Sequence, residues 1–217
     1  MSRTALLAGA TGLVGGRVLE HLLAAGAFDR VVSIGRRTVP TTHPKLVQRV
    51  VDFAALGDLG PVNDVFCCLG TTIKRAGSQE AFRQVDHDYV VALAQAAQRS
   101  GATQSLLVSA VGADPAARVF YSRVKGEAEA DIRQLGYPCT QIFRPSLLLG
   151  ERAEFRLGER IATWFAPVAG VALVGGLRRY LPVQADAVAR AMVRIAEEAP
   201  RGANVFEYDG IMAAARS

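Results

Sequence analysis

Two periodicities alternate along the chain. Short unbroken apolar runs, which suit strands, alternate with segments where apolar residues return every three or four positions, which suit helices. Arg3–Ala8 is the first run. Arg17–Ala25 follows as a helix with Val18, Leu19, Leu22 and Leu23 on one side, and Gly26 ends it. Val31–Ile34, Leu46–Val51 and Asp64–Leu69 read as strands two to four, with a proline-bearing loop at Thr38–Pro44. Gln79–Ser100 reads as one long helix with Phe82, Val85, Tyr89, Leu93, Ala96 and Ala97 facing inward. Ser105–Val108 is a fifth strand, Tyr121–Leu135 a helix closed by Gly136, and Cys139–Phe143 a sixth strand.

The strands are continuously apolar, so both faces of their sheet are covered. Strand-helix alternation then predicts an α/β fold with a doubly wound parallel sheet. Strand order 3-2-1-4-5-6 follows if the first turn binds a dinucleotide. Beyond Arg144 the alternation weakens. Ser146–Tyr180 is irregular and apolar, and reads as a small cap over the open end of the sheet. Ala185–Ala199 is a clear helix, and Asn204–Tyr208 is a candidate last strand. Residues 1–217 are expected to form a single domain.

The net charge of +5 rests on 22 arginines and 3 lysines. They are dispersed, with no run beyond Arg36-Arg37 and Arg178-Arg179, which argues against a nucleic-acid surface. Three cysteines, Cys67, Cys68 and Cys139, form neither a metal-binding spacing nor a disulfide framework. His21, His43 and His87 have no ligand-like spacing, so no metal is expected. Met1 runs straight into the first strand, leaving no room for a signal peptide, and a reduced cytoplasmic setting is expected. Ile161–Leu177 is uncharged but carries Pro167 and three glycines, which suits a peripheral membrane contact or a broken helix better than a span.

Chemistry begins between the first strand and the first helix, at Gly9-Ala10-Thr11-Gly12-Leu13-Val14-Gly15-Gly16. Gly9 permits a sharp turn, Gly12 lets backbone N–H groups reach a pyrophosphate, and Gly15 lets the helix lie close on the strand. The positive end of that helix faces the phosphates. The second strand ends in Gly35-Arg36-Arg37 with no acidic residue nearby. An NAD site normally holds the ribose with Asp or Glu there, whereas arginine suits the 2′-phosphate of NADP(H). Arg36 is the expected phosphate contact and Arg37 a stacking partner for adenine; a solvated surface pair is the alternative. Asp52-Phe53 follows the third strand, where Asp52 suits either an acceptor for the adenine amino group or a turn cap. Leu69-Gly70-Thr71-Thr72 follows the fourth, with Gly70 allowing close passage and hydroxyls within reach of ribose or substrate.

Tyr121 and Lys125 stand four apart on a predicted helix, hence on one face. An ammonium beside a phenol favours phenolate, and such a Tyr protonates a carbonyl oxygen or deprotonates an alcohol. Ser109, at the end of the fifth strand, suits either a contact to the substrate carbonyl or a turn residue.

Together these residues resemble the short-chain dehydrogenase/reductase superfamily over about residues 3–208. The glycine turn is similar to that of its extended and atypical members. Cys67–Thr72, Tyr121–Glu127 and Arg144–Arg152 resemble an atypical branch more narrowly. The resemblance implies a catalytic Ser109, Tyr121 and Lys125. It implies NADP(H) held in an extended conformation by Gly9, Thr11, Gly12, Leu13, Val14, Arg36, Arg37, Asp52, Phe53, Leu69, Gly70, Thr71, Tyr121 and Lys125, with Pro145 against the nicotinamide amide. Many superfamily members carry Asn where this chain has Asp86. The expected activity is reduction of a carbonyl on a small, largely apolar molecule. The alternative is a regulator that binds NADPH without turnover.

Overall fold

A computed structural model describes residues 3–150 and 175–216. Seven parallel strands form one sheet: β1 (Thr4–Ala8), β2 (Arg30–Gly35), β3 (Leu46–Val50), β4 (Asp64–Cys67), β5 (Gln104–Val108), β6 (Cys139–Phe143) and, last in the chain, β9 (Gly202–Phe206). Their order is β3-β2-β1-β4-β5-β6-β9, so the expected order holds and the final strand extends it by one. The pair β7 (Leu148–Leu149) and β8 (Val183–Gln184) forms a separate two-stranded ladder, also parallel.

Central strands are buried on both sides; Ala5, Leu6, Leu7 and Ala8 of β1 expose nothing. Two cores result, one per face of the sheet. The first is built on α1 (Leu13–Ala24), α6 (Ala185–Glu198) and α7 (Tyr208–Ala214), with Val18, Leu22, Val188 and Met192 fully buried. The second is built on α4 (Tyr89–Arg99) and α5 (Phe120–Gln134), with Val90, Leu93 and Ile132 against β1, β4 and β5.

One helix departs from the sequence reading. Gln79–Arg99 is helical throughout, after the single turn α2 (Ile73–Ala76), but it divides into α3 (Gln79–Arg83), a π-turn at Gln84–Asp88, and α4. A π-turn winds more slowly than an α-helix, so residues four apart come into line. The buried face is therefore Phe82, Asp86, Val90 and Leu93, whereas the expected Val85 and Tyr89 are only half-buried. A carboxylate is thereby placed inside.

Of the expected cap, Ser146–Gly150 and the 3-10 turn Gly175–Tyr180 are described, and Ser146 donates its hydroxyl to the Leu181 carbonyl. The rest of the cap, and most of Ile161–Leu177, lie outside the described residues. Among the described residues no helix is long and apolar enough to cross a membrane.

Candidate active site and dinucleotide cradle

The site gathers at the C-terminal edge of the sheet, where open α/β folds bind their ligands. The glycine turn leaves no room for side chains. A Cβ on Gly9, which sits at φ +95°, would lie 2.4 Å from the Cys68 carbonyl oxygen, and one on Gly15 would lie 2.1 Å from the Gly9 oxygen. The Gly12 N–H donates to that same Gly9 oxygen at 2.9 Å. Gly12 is the N-cap of α1, which has neither a side-chain cap nor an acidic residue in its first turn. Its leading N–H groups, those of Leu13 and Val14 included, thus carry the helix's positive end at the glycine turn. These residues fit a pyrophosphate.

The expected adenosine contacts line the adjoining edge. Gly35 turns tightly over Arg37, and Arg36 and Arg37 are exposed, with no hydrogen bond or ion pair among the described residues. Asp52 acts as a turn cap: its Oδ1 accepts the Ala54 N–H at 2.9 Å. Phe53 is a core residue stacked on Tyr89 with centroids 5.8 Å apart, so only its backbone is available to a cofactor.

Beside Gly9, β4 ends and the chain runs through Leu69, Gly70 and Thr71. The Thr71 N–H donates to Asp86 Oδ2 at 2.8 Å. The other oxygen, Oδ1, lies 2.8 Å from Lys125 Nζ, and both side chains are nearly inaccessible. Tyr121 stands one turn earlier on α5, half-buried, its ring 5.4 Å from that of Phe82. Gly126 allows α5 to press onto the loop before it, since a Cβ there would overlap Asp114 and Pro115 backbone atoms.

The electrostatics differ from the sequence expectation. Burial pushes the Tyr121 phenol above its ordinary value; Lys125 pulls it down, but Asp86 pushes it up again. The lowering expected from Lys125 is present and outweighed. Lys125 itself is raised: burial alone would pull the ammonium down, and Asp86 together with Tyr121 overcomes it. The neighbouring Cys67 thiol is pushed by burial up to about 11, so it is neutral.

Ser109 is committed elsewhere. Its hydroxyl donates to Glu129 Oε1 at 2.5 Å. Glu129 exposes nothing and also receives Arg144, through Nε at 2.9 Å and Nη2 at 2.6 Å, and Arg133 at 3.4 Å. Pro145 follows Arg144, buried, and its carbonyl accepts the Val111 N–H at 2.9 Å. A carbonyl substrate needs a donor, which Ser109 supplies only by turning away from Glu129. Glu129 escapes sequence reasoning; its one signal is the spacing Tyr121, Lys125, Glu129, successive fours along one face of α5.

No protein-family model matches the chain. HTATIP2 of Rattus norvegicus is 37% identical across 76% of this chain and 70% of its own length. The protein fmp52 of Aspergillus niger is 36% identical across 93% of this chain and 90% of its own. Among solved structures, MoeE5 in complex with UDP-glucose and NAD has a TM-score of 0.72 and 18% identity, covering 94% of this chain and 75% of that one. Human epimerase family protein SDR39U1 with NADPH has a TM-score of 0.66 and 17% identity, covering 94% and 74%. These two are likenesses of fold. The Fmp52 relatives, from Aspergillus niger to Eremothecium gossypii, are named mitochondrial proteins, which overturns the expected cytoplasmic setting. Identity above a third, sustained over most of the chain, adds to the strand order and the glycine cradle: the chain belongs to the atypical short-chain dehydrogenases/reductases of the HTATIP2 and Fmp52 branch.

Proposed function

We propose that this protein is an NADPH-dependent oxidoreductase that reduces a carbonyl or similarly polarised group on a small, largely apolar molecule. The observation that carries this reading is the meeting of two features at one sheet edge. A backbone cradle fit for a pyrophosphate abuts Gly70, and a Cβ on Gly70 would lie 3.7 Å from the Lys125 ammonium. The nicotinamide, when bound, supplies the hydride. Tyr121 gives the proton to the substrate oxygen as charge develops there. Lys125 has donors to spare for a ribose hydroxyl while it stays beside Asp86. Ser109 holds the substrate oxygen once it leaves Glu129, and Leu69, Thr71 and Pro145 border the same edge.

Tyr121→Phe tests the proton donor. Oxidation of NADPH against aldehydes, ketones and quinones should fall roughly 10²–10⁴-fold, with NADPH affinity essentially unchanged. Full activity in that variant rejects the role. NADPH binding without turnover of any compound by the unmodified protein would favour the regulator instead.

The preference for NADPH over NADH rests on Arg36 and Arg37, exposed at the end of β2 and not committed to any described partner. A 2′-phosphate needs such a fork of donors. Arg36→Ala should weaken NADPH binding about tenfold, ~1.4 kcal/mol, and leave NADH binding unchanged in calorimetry. Equal loss for both coenzymes would remove the specificity claim.

A further inference from the structure

The buried pair of Asp86 and Lys125 carries more than support for the helix. Asp86 is 1% exposed, and it is brought inward by the π-turn and not by an apolar pattern. Its Oδ2 takes the Thr71 N–H, and its Oδ1 lies 2.8 Å from the Lys125 ammonium. Gly70 stands over the pair: a Cβ there would come within 3.4 Å of Asp86 Oδ1.

The other ionisable groups described nearby have partners of their own. On the π-turn side, Arg83 pairs with Glu127, and His87 pairs with Asp88 and Asp131. Further along α5, Glu129 is held by Arg144 and Arg133. In the preceding loop Asp114 caps the Ala116 N–H. From β4 the titratable neighbour is Cys67, which is neutral. Among the described residues, the charges that act on the Tyr121 phenol are Lys125 and Asp86. A lone ammonium would favour phenolate by roughly 1–3 pKa units, as a guanidinium does a carboxylate. A carboxylate 2.8 Å from that ammonium cancels most of its field.

We propose that Asp86 is a positioning residue that neutralises Lys125 and ties it to the Gly70–Thr71 turn, so that Tyr121 stands as a neutral proton donor and the site is set for reduction. This rests on the reading of Tyr121 as the acid, but its test needs neither coenzyme nor substrate. The ionisation of Tyr121 is followed by phenolate absorbance, as the difference between each protein and its Tyr121→Phe counterpart.

Asp86→Asn should lower the Tyr121 midpoint by at least one pH unit, about tenfold in proton affinity. The double variant Asp86→Asn with Lys125→Met, which leaves no unpaired buried charge, should titrate close to the unmodified protein. A midpoint unmoved by Asp86→Asn overturns the proposal. If that single variant does not fold, the double variant decides: a midpoint a unit or more above the unmodified protein would mean that Lys125 acts unneutralised. The shift, together with an unmodified protein that binds NADPH but turns over no compound, removes the enzymatic reading alone. A missing shift in a protein that still needs Tyr121 to oxidise NADPH removes only the role of Asp86.

Discussion

The two ends of the sheet bury the same kind of pair and finish it differently. At the N-terminal end, Arg3 grips Asp64 through Nε at 2.8 Å and Nη2 at 2.9 Å, and Nη2 also reaches the Ala196 carbonyl at 2.6 Å. The guanidinium lies over Phe28 at 4.8 Å. Both oxygens of Asp64 are hydrogen-bonded, and the pair staples β1, β4 and α6 together. At the C-terminal end Asp86 is just as buried, but its cation is a single ammonium 2.8 Å from one oxygen, and the backbone beside the pair is the exposed Gly70. A guanidinium bonded to both oxygens of one carboxylate and to a carbonyl is fixed in place, whereas an ammonium at one carboxylate oxygen keeps donors for another acceptor. On the proposed function, the first pair serves stability and the second serves the site.

Lys125→Met should break this contrast most severely. It leaves the Asp86 carboxylate buried with a single backbone donor, and uncompensated buried charges of this kind cost about 3–5 kcal/mol. Urea denaturation reads the loss. Adding Asp86→Asn to that variant should return most of it, because the stranded charge is gone. A Lys125→Met protein as stable as the original would mean that water reaches Asp86 and that the site is more open than its burial indicates.

Asp64→Asn sharpens the other side. Burial already pushes the Asp64 carboxyl up, against the pull of Arg3, so its charged form is less favoured than the number of its bonds suggests. Arg3 is 27% exposed in its side chain and can turn toward solvent. The loss should be smaller, about 1–3 kcal/mol for a charge-assisted bond, and NADPH affinity should not change. A coenzyme defect in Asp64→Asn would dissolve the division between the two ends.

The readability of these two ends from sequence differs for a physical reason. The glycine turn, the strand runs and the strand order rest on backbone sterics and on the period of apolar residues, and those are local. Tyr121 and Lys125 are legible because their spacing is one helical turn. Asp86 and Lys125 come from separate segments, and the π-turn that joins them breaks the very period by which a helix is read: Phe82, Val85, Tyr89 and Leu93 fit an unbroken helix equally well. Ser109, Glu129 and Arg144 meet only because β5, α5 and β6 pack side by side. The turn cap at Asp52 and the core position of Phe53 likewise depend on where Ala54 and Tyr89 lie in space. Residue types reveal candidate chemistry, but which charges cancel is a property of the packed molecule.

The smallest expected effect is a pH dependence, and its sign follows from the C-terminal pair. Lys125 has a folded-state value above its ordinary one of about 10.5, because Asp86 and Tyr121 outweigh burial. A base that holds its proton more tightly when folded contributes stability that is fully present below its unfolded value and is lost as pH rises through its folded value. Tyr121 is also raised, by burial first, so the folded state again holds the proton more tightly than the unfolded one. Both groups therefore act in the same direction: no contribution to the slope from this pair across neutral pH, then a decline in unfolding free energy above about pH 10. Urea midpoints taken from pH 7 to 11 give the slope. Removing both charges, in the Asp86→Asn and Lys125→Met double variant, should flatten the lysine part of the decline and leave the tyrosine part. A protein whose stability instead rises above pH 10 would place the proton of Lys125 more loosely in the folded state, and the Asp86 carboxylate could not then be its partner.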